Sequence, residues 1–363
     1  MKAASSRLSR GKLVGFTLAA LGLACGGAIL LGEVGLRLWG PRRAHGTTLS
    51  HPTLHHAHVA SSSLKFGIPG GEFEPILMHF DEDGARVPDS QTAKDEGEPF
   101  RLAILGDSFV EAAQVEWEIS FVGRLAEDLE GKVAVRNFGV SSYSPLLSLL
   151  QWRQVVKRWR PTHVLYVSYD NDFGDAEDEF SDASYLKNAI LNEAGEVQGV
   201  REEHGWVRRL ADRSYLRWEV MKGWAALKTK MDRRGETKNG AVSDLIEIGP
   251  PSSENLLALR REVEKTGARF LHTAIPSKEL QMRGEADPEV WAKSFAARLE
   301  GWSGEQGLTF LNLNSEFIEA TGEGKKLFFE KDIHLNSEGH RVVFESLRSV
   351  LEDEFETFAG LRP

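Results

Sequence analysis

The sequence predicts an α/β protein, a three-layer αβα sandwich on a five-stranded parallel sheet, carried behind an N-terminal transmembrane helix. Three observations predict it. Apolar runs of strand length recur at 101–105, 133–137, 163–168, 269–274 and 308–313. Helical periodicity fills the intervals, at 117–130, 145–160, 253–266 and 289–301, with a last helix at 337–352. An uncharged run from Leu13 to Gly32 stands near the N-terminus. Strands that alternate with helices form βαβ units, and such units give a parallel sheet covered on both faces.

The N-terminal run is about 30 Å long as a helix, enough to cross a bilayer. Lys2, Arg7, Arg10 and Lys12 precede it and predict a cytoplasmic tail over residues 1–12, an anchor over 13–32 and the remainder on the outer face. A cleaved signal peptide fits less well, because no Ala-x-Ala site follows closely. Cys25 is the single cysteine. A lipoprotein site there is disfavoured by Gly22, which stands where a bulky aliphatic is wanted. One cysteine allows no intrachain disulfide and says nothing of redox compartment.

Residues 33–99 read as an extended linker and lead-in, polar and punctuated by Pro and Gly. His51, His55, His56 and His58 cluster there. A metal site needs fixed spacing and a second ligand group, so the cluster reads as a solvated loop. Phe80 to Pro88 reads as a short strand, an Asp-Gly turn and an extended exit. From Phe100 to about 355 the regular α/β pattern holds. On the last helix Val342, Val343, Phe344, Leu347, Val350 and Leu351 share one face, as packing on a sheet requires.

An insertion at about 175–250 interrupts the pattern. It is acidic from Asp175 to Asp182, then holds Trp206, Tyr215, Trp218 and Trp224 in a basic helical context, then loosens from Arg233 to Gly240. A segment of this length beside a sheet edge forms a lid, a substrate wall or a small helical subdomain. The tryptophans fit packing better than a sugar platform. The whole chain of 363 residues is 41% hydrophobic and 27% charged, with a net charge of -10 and no basic face. That composition suits a globular protein and excludes nucleic acid as a partner.

The chemistry centres on Gly106-Asp107-Ser108, at the turn from the first strand of the sheet into a helix. A serine there stands at the C-terminal sheet edge, where α/β proteins bind ligands, although Asp and Ser also serve as ordinary N-caps. A nucleophilic serine needs a base held by a carboxylate. Asp332 and His334 are two apart in an extended segment and point to one side, so Asp332 can reach the His334 ring. The alternative is that Asp332 and Asn336 only shape a turn. Oxyanion donors are available at two other strand ends: Gly139 through its backbone N–H, and Asn171 through its side-chain amide. Both loops also suit plain turns. The acidic run from Asp170 to Asp182 suggests calcium, but Gly174 is out of step with an EF-hand loop. The sequence therefore asks for no metal and no cofactor.

Ser108, Gly139, Asn171 and the Asp332-x-His334 pair, in this order at successive strand ends, resemble the four blocks of the SGNH/GDSL hydrolase superfamily. The resemblance covers 100–174 and 308–350 and leaves the insertion uncovered. Two departures stand out: one residue rather than two separates Asp332 from His334, and the third block reads Tyr169-Asp170-Asn171-Asp172 without a leading glycine. The anchor, the Gly84-Ala85-Arg86 turn and the tail to Asn336 resemble bacterial membrane-anchored members, a group that includes the alginate O-acetylation proteins.

The resemblance implies a flavodoxin-like fold, with Ser108 as nucleophile, His334 as base and Asp332 orienting it. It also implies an oxyanion hole from the Ser108 and Gly139 N–H groups and the Asn171 side chain. The expected activity is a serine esterase or O-acyltransferase acting on acyl, chiefly acetyl, esters of an envelope carbohydrate or polymer. The expected location is the bacterial inner membrane, single-pass, with the catalytic domain on the periplasmic or extracellular side. The competing expectation is an anchored carbohydrate-binding or assembly protein with a non-catalytic form of the same fold.

Overall fold

The computed structural model describes residues 10–39, 47–67, 70–88, 98–174, 180–202, 214, 216, 217, 220 and 247–360. Its strands are β1 (Thr48–Ser50), β2 (His56–His58), β3 (Ser62–Phe66), β4 (Ile76–Phe80), β5 (Arg86–Val87), β6 (Phe100–Gly106), β7 (Val133–Asn137), β8 (His163–Ser168), β9 (Ala189–Leu191), β10 (Val197–Val200), β11 (Arg269–Ala274) and β12 (Thr309–Leu311). The helices are α1 (Arg10–Trp39), α2 (Ser108–Glu111), α3 (Phe121–Asp128), α4 (Pro145–Gln154), α5 (Asp182–Tyr185), α6 (Ser252–Glu264), α7 (Lys278–Met282), α8 (Pro288–Trp291), α9 (Phe295–Glu305), α10 (Asn314–Gly322) and α11 (Ser337–Gly360).

One eight-stranded sheet organises the molecule, in the order β12-β11-β8-β6-β7-β5-β4-β3. The first five of these strands pair in parallel and are the five that the apolar runs predict. In chain order their arrangement is second-first-third-fourth-fifth, the flavodoxin-like doubly wound order. It reverses direction at β6, so the C-terminal end of β6 opens onto the crevice between the two crossovers. Successive residues of β6 feed opposite layers. Leu102 and Ile104 pack with Phe121, Leu125, Val343 and Leu347 on one face. Ala103 and Leu105 pack with Trp152, Leu256, Leu259 and Leu299 on the other. A strand buried on both sides has no polar face, which explains the unbroken apolar run of 102–105.

The sheet is wider than the expected five strands. Antiparallel β5, β4 and β3 continue it beyond β7. They come from the stretch read as linker and lead-in. β4 carries the period-2 signature of a half-buried strand, with Ile76, Met78 and Phe80 buried and Leu77 exposed. A ribbon of β1 and β2 packs nearby, and the histidines expected in a solvated loop belong to it or flank it. His58 is buried, with Nδ1 2.9 Å from the Gly84 carbonyl. His56 Nε2 lies 2.7 Å from the Ser141 carbonyl. The reason is that the ribbon lies against the loop after β7, and imidazoles reach its polar backbone.

At the N-terminus α1 contains one apolar stretch long enough to span a membrane, Val14–Leu36, and none of that window is buried in the protein. It is a candidate transmembrane span, and among the described residues none of it belongs to the core. Of the 175–250 insertion, β9 and β10 form a short hairpin. Trp206, Tyr215, Trp218, Trp224 and the Arg233–Gly240 stretch lie outside the described residues.

Candidate active site

Ser108 is the first residue of α2, one residue beyond the end of β6. Asp107 caps the helix, its Oδ1 accepting the Phe109 N–H at 2.9 Å. Burial pushes the Asp107 carboxyl up to about 6, against the pull of that hydrogen bond. Gly106 permits the sharp turn, because a Cβ there would sit 2.6 Å from the Val167 carbonyl oxygen on the neighbouring strand. Phe109 is buried beneath the site, its ring 5.0 Å from that of His334 and 4.3 Å from that of Tyr169.

The chain separates Ser108 from His334 by 226 positions, yet Nε2 of His334 lies 2.6 Å from Ser108 Oγ. On its other side, His334 Nδ1 makes a short contact with Asp332 Oδ1, and the His334 backbone N–H reaches the same oxygen at 3.0 Å. Partial burial pushes the Asp332 carboxyl up. The His334 hydrogen bonds and the charge of Lys278 outweigh it and hold Asp332 below the usual carboxylate range. The segment holding His334 is fixed by a small antiparallel bridge, Phe328 opposite Leu335. It is also fixed by Asn336, whose Oδ1 accepts the Glu338 and Gly339 N–H groups at the start of α11. Asn336 is thus the helix cap that precedes α11 and sets its entry angle.

The two oxyanion candidates are placed at strand ends flanking β6. Asn171 lies in a 3-10 turn after β8, and its Oδ1 is buried with no hydrogen-bond partner among the described residues. Gly139 follows β7, and its N–H donates to Asn137 Oδ1 at 2.9 Å. Its missing side chain lets the loop press on α2, since a Cβ would fall 2.4 Å from the Glu111 nitrogen. In the same loop Ser142 holds a left-handed backbone, φ +66.

Four positions that sequence reading did not single out for this site also shape it. Gln114 Nε2 lies 2.9 Å from His334 Nδ1. Glu111 is fully buried and its carboxylate accepts the Ser141 N–H at 2.7 Å, while His58 Nε2 lies 3.2 Å away. Burial alone raises the Glu111 carboxyl, but the bonds from His58, Ser141 and Thr47 prevail and hold it at about 2. Arg86 is buried and its guanidinium donates to the carbonyls of Glu111 (2.8 Å), Ala112 (2.6 Å) and Val115 (2.8 Å), just where α2 ends. Glu72 reaches the loop that carries Asp332. The only local signal for any of them was the Gly84-Ala85-Arg86 turn. Glu72, Glu111 and Gln114 are ordinary polar residues in the sequence.

A serine, a histidine and a carboxylate in hydrogen-bonded series at the switch point of a doubly wound sheet define an α/β protein with a serine-hydrolase arrangement. The sequence profile of the GDSL-like lipase/acylhydrolase family matches residues 104–342, more than half of the chain. The chain belongs to this family, within the SGNH hydrolase superfamily, whose members act on esters. No curated protein matches the sequence. Solved structures with a similar fold include a G-D-S-L family lipolytic protein from Veillonella parvula, with 13% identity, 69% of this chain and 97% of that chain covered, and a TM-score of 0.38. An esterase from Pseudoalteromonas sp. has 12% identity, coverage of 70% and 98%, and a TM-score of 0.37. A variant of an acetylxylan esterase from Geobacillus stearothermophilus has 13% identity, coverage of 69% and 93%, and a TM-score of 0.38. Membership rests on the family match and not on these distant likenesses.

Proposed function

We propose that the protein is a membrane-anchored serine ester hydrolase or O-acyltransferase that acts on acetyl or similar small acyl esters of an envelope carbohydrate or polymer. The observation that carries this reading is the 2.6 Å contact between Ser108 Oγ and His334 Nε2, with Asp332 on the opposite ring nitrogen. Ser108 attacks the ester carbonyl as His334 takes its proton. The charge that develops on the carbonyl oxygen falls to the Ser108 N–H and the Asn171 amide, with Gly139 joining once its N–H is released from Asn137. The alkoxide leaves with the proton from His334, and an acyl-serine remains. Water then completes a hydrolysis, whereas an acceptor hydroxyl completes a transfer. The anchor, read as an uncleaved single span of the bacterial inner membrane, puts this chemistry on the periplasmic or extracellular side. Residues 1–12 then form the cytoplasmic tail, and 100–355 with its insertion, joined by the lead-in strands β3, β4 and β5, forms the catalytic domain.

The purified protein is expected to cleave an aryl acetate and to be labelled at Ser108 by a fluorophosphonate. Ser108→Ala and His334→Ala are each expected to lower kcat roughly 10⁴-fold or more while remaining folded. A folded protein that neither cleaves nor is labelled would instead support the carbohydrate-binding reading. Partition of acetyl between water and added oligosaccharides separates hydrolase from transferase.

A further inference from the structure

The loop that presents Asp332 and His334 is held from both sides by charged side chains that the proposed chemistry does not use. Glu72, in the short segment between β3 and β4, extends its carboxylate to three consecutive backbone N–H groups of this loop. Oε1 accepts from Glu330 at 2.5 Å and from Lys331 at 3.0 Å. Oε2 accepts from Lys331 at 3.1 Å and from Asp332 at 2.9 Å. From the other side, Lys278, at the start of α7, donates through Nζ to the carbonyl of Asp332 at 2.8 Å and to that of Glu330 at 3.4 Å. The peptide groups beside Asp332 are therefore gripped at their N–H ends by an anion and at their C=O ends by a cation. Successive N–H groups converging on one carboxylate form a concave anion nest, which fixes backbone direction more tightly than a single bond. Phe73, the next residue, adds an apolar contact, its ring 5.4 Å from Phe329 and stacked at 6.0 Å on Phe66.

We infer that Glu72 is a positioning residue for the acid–base loop, supplied by the lead-in rather than by the matched family region. The inference rests on the esterase reading above. Glu72 touches no reacting atom. It acts by setting where Asp332, and through it the His334 ring, stands relative to Ser108 Oγ. Reactions of this kind lose rate steeply when a catalytic group is misplaced by an ångström.

The experiment compares the full chain with its Glu72→Gln and Glu72→Asp variants on 4-nitrophenyl acetate. Glu72→Gln turns one acceptor oxygen into a donor facing backbone N–H groups. Its kcat is expected to fall roughly 10- to 100-fold, with KM and the thermal midpoint little changed. Glu72→Asp keeps the charge and is expected to recover part of the rate. If Glu72 works through Asp332, adding Glu72→Gln to an Asp332→Asn background should cost no more than Asp332→Asn alone. Wild-type kcat in Glu72→Gln would overturn the inference, and so would a loss confined to KM or fully additive with Asp332→Asn. Should Glu72→Gln fail to fold, wild-type kcat in Glu72→Asp overturns the inference and a partial loss of kcat supports it. If the wild-type protein neither hydrolyses the ester nor takes the fluorophosphonate, it is the esterase reading that fails. An active wild type with an indifferent Glu72 removes this inference alone.

Discussion

Glu111 stays ionised while fully buried, and that ties the stability of the site to pH. Its carboxyl lies at about 2 in the folded protein against 4.5 for a free side chain. The folded state therefore binds the proton less well than the unfolded state. The stability it contributes is fully present above pH 4.5 and drains away as pH falls from there through about 2. A shift of this size corresponds to about 3 kcal/mol. Urea denaturation as a function of pH checks this: wild type should lose about 3 kcal/mol more than Glu111→Gln between pH 6 and pH 2. Equal losses in the two proteins would contradict it. At this scale legibility divides by distance along the chain. Ser108, and Asp332 with His334, sit in short contiguous motifs that point to the proposed chemistry. Glu111, His58 and Glu72 do not, because each gains its partners only when segments 30 to 260 positions apart come together.

At the scale of elements, α2 is the weak point. A four-residue helix cannot hold itself, since one turn fixes several residues for a single hydrogen bond. Its N-terminus is capped by Asp107. At the other end, three carbonyls converge on the buried guanidinium of Arg86. Arg86→Met keeps the aliphatic stem but leaves those carbonyls without their donor. It is expected to lower stability by about 3 kcal/mol or more. It should also lower kcat, because Ser108 rides on the helix being held. Denaturant midpoints and aryl acetate turnover check both, and an unchanged midpoint would remove the capping argument. The parallel strands were legible because they are buried on both faces and read as apolar runs. β5 was legible only as the extended exit from the Asp-Gly turn, because just two residues, Arg86 and Val87, join the ladder. Nothing in its composition marks a buried arginine as structural.

For the whole molecule, the question is where the catalytic unit begins. The matched family region starts inside β6, but β5, β4 and β3 extend the same sheet from residues 62–87. Without them β7 becomes an exposed edge, a template for aggregation. The apolar side chains of β3 and β4 also cover Ala113 beside the site: Leu64, Ile76, Met78 and Phe80 cluster with it. The same lead-in delivers Glu72 and Arg86. Residues 47–363 are thus expected to fold and to hydrolyse aryl acetates as the full chain does, whereas residues 100–363 should be insoluble or inactive. The anchor gives the complementary expectation. Alkaline carbonate should leave the full chain in the membrane fraction and release residues 47–363. A soluble, fully active fragment starting at 100 would show that the lead-in is only a tether. Loss of activity in that fragment, with the 47–363 form intact, would place the start of the catalytic unit within residues 47–99.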